Sequence, residues 1–510
     1  MLVKTHGCAV YGIDAIPITV ETNISRGINY FLVGLPDKAV TEGHKRIKAA
    51  FGNSGFKFPG KEITINMAPA DIRKEGSAYD LTIAAGILAA SSQIPDTLLD
   101  DFLIMGELSL DGSVRAIKGA LSMGVRAKEL GFKGFVLPKA NALEVSVVEG
   151  LDVYGVETIQ EMVDFFRGDT VIEKAQFETQ TDGNSLEHCL DFADVKGQEN
   201  AKRALEIAAA GGHNILLVGP PGSGKTMLAK RLPTILPPLT VDEALETTKI
   251  HSVAGLVGAN SGLISRRPFR SPHHTVSDVA LVGGGSNPKP GEISLAHNGI
   301  LFLDELPEYK RQVLEVMRQP LEDRVVSISR AKMSVEYPAG FMLVASMNPS
   351  PSGDFYDPDN PKSDPEYVVK RYMGKISGPL MDRIDLQIEV PAVKFDELSG
   401  KAKGESSKQI RNRVMESRQL QEERLKLYEG IHYNSQLPAN LIEKFCSVDD
   451  IGKQMLKNAM DQLGLSARSY GRILKVARTI ADLEKSEKIS PQHLAEAIQF
   501  RSLDRSGWAA

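Results

Sequence analysis

NILLVGPPGSGKT, residues 214–226, decides the fold class of this chain. A short apolar run, fit for a buried strand, ends in a glycine-rich turn that opens a helix. That context turns G-x-x-x-x-G-K-[ST] from a spelling into a site. Gly219, Pro220, Pro221, Gly222, Ser223 and Gly224 form the turn, whose backbone N–H groups would cradle phosphates together with the helix start. Lys225 would reach the β and γ phosphates, and Thr226 would offer its hydroxyl to Mg²⁺. The expected ligand is ATP with Mg²⁺; a glycine turn that binds nothing is the bland alternative.

Two further apolar runs follow downstream. ILFLDEL (300–306) places Asp304 and Glu305 at the end of a buried-looking strand. Two adjacent carboxylates there are costly to desolvate unless a cation or a water network pairs them. Asp304 then holds the metal through water and Glu305 polarises the attacking water, with a helix cap as the competing reading. FMLVASMN (341–348) ends in Asn348, whose amide could orient the lytic water beside the γ phosphate or could simply form a turn before Pro349. Strands of this kind separated by helical segments predict a parallel sheet wrapped by crossover helices.

The remaining sequence divides around that core. Residues 1–168 alternate β-rich runs such as AIPITVE, YFLVGLP and EITINMAP with helical stretches such as DLTIAAGILAA, so they read as a separate α/β domain. Residues 169–190, DTVIEKAQFETQTDGNSLEHCL, are polar and turn-rich and read as a linker; 191–395 hold the core, and 396–510 read as helical. With 510 residues, several domains are expected. Apolar residues at 42% and charged residues at 25%, with no run near the ~20 apolar residues of a membrane span, predict a soluble chain with no membrane partner. The N-terminal stretch lacks the pattern of a signal peptide, and three cysteines (Cys8, Cys189, Cys446) stand far apart, so a reducing cytoplasmic setting is expected. A net charge of −5 gives no global pull on nucleic acid, so any such partner needs local basic patches.

RPFRSPHHTVSDVALVGGGSNPKPGEISLAHNGILFLDELPEYKRQVLEVMRQPLED (267–323), SGPLMDRIDL (377–386) and LSARSYGRILKVARTIADLE (465–484) together resemble the magnesium-chelatase-like ComM (YifB) family over nearly the whole chain. The resemblance implies an AAA+ core with one hairpin inserted into its second helix and another before Asn348, followed by a helical lid. It implies a homo-hexameric ATPase that moves on single-stranded or branched DNA, a branch-migration helicase of natural transformation. By position, Arg383 looks like the arginine finger serving a neighbouring subunit and Arg468 like the sensor 2 arginine; a guanidinium fork suits developing phosphoryl charge. VVSISRAKMSVEYP (325–338) resembles the pore hairpin, with two short β segments around Ser329–Lys332, and makes Arg330 and Lys332 the DNA-contact candidates. They would meet phosphates, because translocation must ignore sequence.

Arg266, Arg267 and Arg270, with His273 and His274, either add a second basic surface or position the helix 2 insert. Adjacent histidines on a strand would point apart, which speaks against a metal. Many relatives carry cysteines where this chain has Ser350 and Ser352, so no zinc is expected. GLPDKAV, NMAPADIRKEGSAYDL and GELSLDGSVRAIKGALSMGVRAKE resemble the Lon-protease-like (S5-like) domain, but Ala78 stands at the nucleophile position and Leu121 at the lysine position. Ser77 and Lys118 lie nearby in sequence, yet a dyad needs hydrogen-bond geometry, so a platform role is expected. The competing reading of the whole chain is a chelatase-like motor that remodels a protein partner.

Overall fold

The structure is a computed structural model that describes residues 1–177, 190–258, 261–285, 288–330, 333–353, 364–393, 404–463 and 466–501. In the N-terminal unit the long antiparallel pair β1 (Leu2–Tyr11) and β2 (Asp14–Ser25) is followed by β3 (Tyr30–Val33), α1 (Lys38–Asn53), β4 (Glu62–Ala68) and α2 (Asp80–Ala90). Then come β5 (Phe102–Ile104), the small β6 (Glu107–Leu108) and β7 (Val114–Arg115), α3 (Ala120–Glu129), β8 (Gly134–Pro138), α4 (Lys139–Val145), β9 (Asp152–Val156) and α5 (Ile159–Arg167). Seven strands in the order β3-β4-β2-β1-β5-β8-β9 form one mixed sheet. Helix α2, DLTIAAGILAA, is apolar all round, and every one of its residues is buried, as such a helix must be. The segment read as a linker starts on this unit: Ala175 donates its N–H to the Val153 carbonyl at 2.9 Å, and Ile172 packs on the core.

The protease-like positions hold no dyad. Leu121 is fully buried, the Ser77 hydroxyl donates to Glu107, and the Lys118 side chain lies against Gly255 of the central unit. Ser77 and Lys118 therefore serve different partners.

The central unit runs α6 (Glu199–Gly211), β10 (Ile215–Val218), α7 (Lys225–Arg231), α8 (Val241–Ala254), β11 (Phe269–Arg270), α9 (Asp278–Val282), β12 (Gly283–Gly284), β13 (Lys289–Pro290) and α10 (Glu292–Leu295). It continues with β14 (Ile300–Leu303), α11 (Arg311–Glu315), α12 (Arg318–Asp323), β15 (Val325–Arg330), β16 (Met333–Pro338), β17 (Met342–Met347), α13 (Glu366–Met373), α14 (Gly378–Met381) and β18 (Leu386–Glu389). The sheet order is β11-β14-β17-β10-β18, and every pairing in it is parallel. Strands β10, β14 and β17 are buried throughout, which is why they read as unbroken apolar runs. The β12–β13 hairpin separates α9 from α10, and β15–β16 forms a second, free-standing hairpin before β17. Ser329 and Arg330 belong to strand β15, so the turn is shorter than the sequence suggests; Lys332 lies outside the described residues.

The C-terminal unit is helical: α15 (Ser407–Leu425), α16 (Ala439–Phe445), α17 (Asp450–Leu463), α18 (Ala467–Leu483) and α19 (Pro491–Gln499). The charged α15 buries a stripe, Ile410, Val414, Ser417, Gln421 and Leu425, and Ser406 with Gln409 closes a capping box at its start. Ser490 caps α19 by accepting from the His493 N–H, with Pro491 in the first turn. No helix among the described residues is long and apolar enough to cross a membrane.

The N-terminal unit meets the central one where α3 lies against α8, and Gly119 donates its N–H to the Ser252 carbonyl at 3.1 Å. Glu144 is sealed into this contact beside Asn141 and the Ser252 hydroxyl, and burial pushes its carboxyl from 4.5 up to about 7. A raised carboxyl favours the folded protein below 4.5, and that advantage is lost as the pH climbs through about 7. Glu144→Gln should therefore raise the apparent melting temperature at pH 8 by roughly 2–4 °C and have little effect at pH 4.5. A scan showing the same shift at both values would remove Glu144 from the pH response.

Candidate functional site

The C-terminal edge of the parallel sheet gathers the residues that the sequence singles out. Gly219 leaves β10 so close to the end of β18 that a Cβ there would stand 2.1 Å from the Val390 carbonyl oxygen, so only glycine fits. Gly222 and Gly224 sit at φ +76 and +89, the left-handed region that lets the loop fold back before α7. Gly222 has nothing within 4 Å of where a Cβ would be, and the Ser223 hydroxyl is buried with no partner among the described residues. An open cradle with an unsatisfied hydroxyl suits an anionic ligand that supplies acceptors.

Lys225 is buried, and its ammonium donates to the carbonyls of Gly219 at 2.7 Å and Pro220 at 2.9 Å and to Asn348 Oδ1 at 3.2 Å. Burial lowers its pKa, opposed by the nearby Asp304 and Glu305. Thr226 Oγ1 donates to Asp304 Oδ2 at 2.8 Å, and the Ser346 hydroxyl donates to the other carboxylate oxygen. Three strands thus bring Lys225, Thr226, Asp304 and Asn348 into one connected polar group. A hydroxyl beside a carboxylate is a hard-oxygen pair of the kind Mg²⁺ takes, so these residues fit the expected ion.

Glu305 is placed differently from its neighbour. It adopts φ 54 and ψ 51, a left-handed conformation that costs a non-glycine residue, and its side chain is 58% exposed. His274 Nδ1 stands 3.6 Å from its carboxylate. The rings of His273 and His274 lie 4.0 Å apart, which corrects the expectation that they point away from each other. Strand β11 stops at Arg270, and Pro272 cannot donate to a ladder, so the two histidines occupy a turn.

Of the basic cluster before them, Arg267 is spent on the Pro237, Pro238 and Asn298 carbonyls and on Glu243. Arg270 grips Glu292 of α10 with two hydrogen bonds of 2.6 and 2.7 Å. These two arginines hold the insert in place. Sequence reasoning missed Gln198, which begins α6 at φ 57 and donates to the Ser223 and Pro391 carbonyls at 2.5 and 3.3 Å, clasping the loop from outside. Its only sequence signal is the G-Q pair just ahead of a helix.

Arg383 and Arg468 lie elsewhere. Ile215 of β10 pairs with Leu386 of β18, so Arg383 stands at the N-terminal edge of the sheet and Gly219 at the opposite edge. Four-residue strands at about 3.3 Å per residue separate the edges by roughly 13 Å before any loop is counted. Asn214, just ahead of β10, donates to the Arg383 carbonyl at 3.0 Å, which fixes the position. The Arg383 guanidinium is buried and pairs with Glu322 at 2.5 Å. Arg472 donates to the same Arg383 carbonyl at 3.1 Å, which brings the first turn of α18, with the exposed Arg468, to this edge. The Glu322 carboxyl is held below its ordinary value by the Arg383 hydrogen bond, and then by the charges of Arg383, Arg468 and Arg472. Arg330 ends β15, and its side chain lies outside the described residues together with Lys332. The hydroxyls of Ser350 and Ser352 bond each other at 2.9 Å, and the Ser352 N–H donates to Asp364.

Three segments match family models built on one protein: 20–141 matches "Subunit ChlI of Mg-chelatase", 191–398 "Magnesium chelatase, subunit ChlI", and 404–501 its C-terminal part. The chain is similar to the uncharacterized protein YifB of Escherichia coli, at 45% identity over 98% of this chain and 97% of that one. It is equally similar to the competence protein ComM of Haemophilus influenzae, at 44% identity over 99% and 98%. A shorter match, 35% identical over 20% of this chain and 16% of the relative, reaches the archaeal Lon protease of Methanocaldococcus jannaschii.

Proposed function

Because the chain belongs to the magnesium-chelatase-like family of YifB and ComM, we propose that it is an ATP-hydrolysing, ring-forming DNA motor that drives branched junctions during natural transformation. The hydrolytic part rests on one observation above all, the joining of Lys225, Thr226, Asp304 and Asn348 at a single sheet edge. Lys225, now turned onto loop carbonyls, exchanges those acceptors for phosphate oxygens. Thr226 and Asp304 hold the ion, which when bound neutralises charge on the β and γ phosphates. Glu305 takes the proton of the attacking water, and Asn348 orients that water.

Assembly follows from the sheet. Arg383 and Arg468 stand at the edge remote from their own loop, so neither reaches its own nucleotide and each is available to a neighbour's. A head-to-tail contact of that type closes into a ring when the rotation allows, and six subunits is the arrangement proposed. The name of the competence relative and the free-standing β15–β16 hairpin support DNA as the track. The three chelatase-subunit matches favour the second reading, remodelling of a protein partner. ATPase rates with and without single-stranded and forked DNA separate the two: stimulation supports the DNA motor, and a rate indifferent to DNA selects the remodeller.

If Arg330 and Lys332 meet the strand, replacing both with Ala should flatten the plot of log affinity against log salt. The loss should be roughly 0.7 per single-strand phosphate contact removed, multiplied by the subunits engaged. Basal ATPase should persist while DNA stimulation is lost, to a similar extent for every sequence. A double variant that keeps the wild-type salt slope and strand movement would move the DNA site away from this hairpin.

A further inference from the structure

A two-stranded hairpin is marginal by itself, and β15–β16 joins no larger sheet. Its buried face, Val326, Ile328, Val335 and Tyr337, must be covered from outside to hold one orientation, while Ser327, Ser329, Ser334 and Glu336 stay exposed. One cover is the insert: a Cβ on Gly283 would stand 3.1 Å from Ile328 Cδ1, and the Tyr337 hydroxyl donates to the Pro288 carbonyl at 2.8 Å.

The other cover comes from the N-terminal unit. The turn between β1 and β2 reaches across, and the Tyr11 hydroxyl donates to the Ser334 carbonyl at 2.9 Å, next to the hairpin's last described pair, Arg330 with Met333. Gly12, at φ +65, approaches so closely that a Cβ would meet Val335 Cγ1 at 2.9 Å. Ile13 packs against the central core that contains Val335 and Ile328. The turn is itself anchored, since Ser122 of α3 donates to the Ile13 carbonyl at 2.5 Å and α3 lies on α8.

We infer that the Tyr11–Ile13 turn is a strut that fixes the β15–β16 hairpin, so that the protease-like unit takes part in coupling hydrolysis to DNA. This rests on reading the hairpin as the DNA-contact element. A rigid hairpin transmits a subunit rotation to the strand, whereas a loose one absorbs it. Tyr11, Gly12 and Ile13 are positioning residues and touch no reacting atom.

The test measures amide hydrogen exchange across 325–338 in the full-length protein, with basal and DNA-stimulated ATPase in parallel. Gly12→Ala should speed hairpin exchange by about tenfold, and Tyr11→Phe by a few-fold, with exchange elsewhere unchanged. Adding Val335→Ala to Gly12→Ala should return protection to the level of Val335→Ala alone, because the methyl met by the new Cβ is gone. The ratio of stimulated to basal ATPase should fall by about threefold or more in Gly12→Ala at an unchanged basal rate. Hairpin exchange unaltered in both single variants overturns the strut, and so does faster exchange spread over the whole chain. A loosened hairpin with wild-type stimulation overturns the coupling. A wild-type protein that DNA fails to stimulate defeats the DNA reading instead, and exchange still reports on the strut.

Discussion

Glu305→Gln is expected to lower ATP turnover by about 10²–10⁴-fold while leaving ATP binding intact. The amide keeps the shape of the carboxylate but cannot take a proton from water. The backbone supports a chemical role over a binding one. Asp304, not Glu305, accepts from Thr226 and Ser346, so the group that organises the ion keeps its partners when Glu305 changes. Glu305 itself points outward from a left-handed residue that costs roughly 1–3 kcal/mol, and such strain persists where a function needs that direction. Phosphate release and titration with a fluorescent ATP analogue read the two effects apart. Turnover at the wild-type rate would remove Glu305 from the mechanism, and lost binding would make it a ligand contact. Lys225→Ala supplies the contrast and should lose affinity itself, because its ammonium is the one that faces the loop.

Much of this arrangement is legible in sequence because chemistry and strand ends coincide. NILLV, ILFL and MLVASM are buried on both faces, so each announces itself as an apolar run, and the polar residue closing each run lands at the same sheet edge. Where burial is partial the signal fades. Strand β11 has two residues, and β18, LQIE, carries a buried glutamine, so neither shows a period. In α15, Ser417 and Gln421 occupy buried stripe positions that a hydrophobic pattern does not count. Contacts between distant segments leave no local trace at all. Nothing near Gln198 announces the Ser223 carbonyl, nothing near His274 announces Glu305, and nothing near Tyr11 announces Ser334. Single letters could report what is missing, as Ala78 and Leu121 do for the protease dyad, but not what replaced it.

Arg383→Ala should leave ATP binding in place and lower turnover by about 10³–10⁵-fold, the range for a finger that neutralises transition-state charge. The remote edge position makes the sharper expectation one of complementation. Mixed with Glu305→Gln subunits, the variant should regain activity, because an intact finger on one subunit then faces an intact site on the next. No recovery at any ratio, with co-assembly demonstrated, would count against action in trans. The competing explanation is structural, since Arg383 is buried against Glu322 and its loss leaves that carboxylate unpaired. Glu322→Gln separates the two, because it weakens the internal pair without removing the guanidinium. A finger that must leave Glu322 to reach a neighbour's phosphate should be released by that change, so turnover should hold or rise. A purely structural pair should instead give Glu322→Gln the same loss of turnover and of melting temperature as Arg383→Ala.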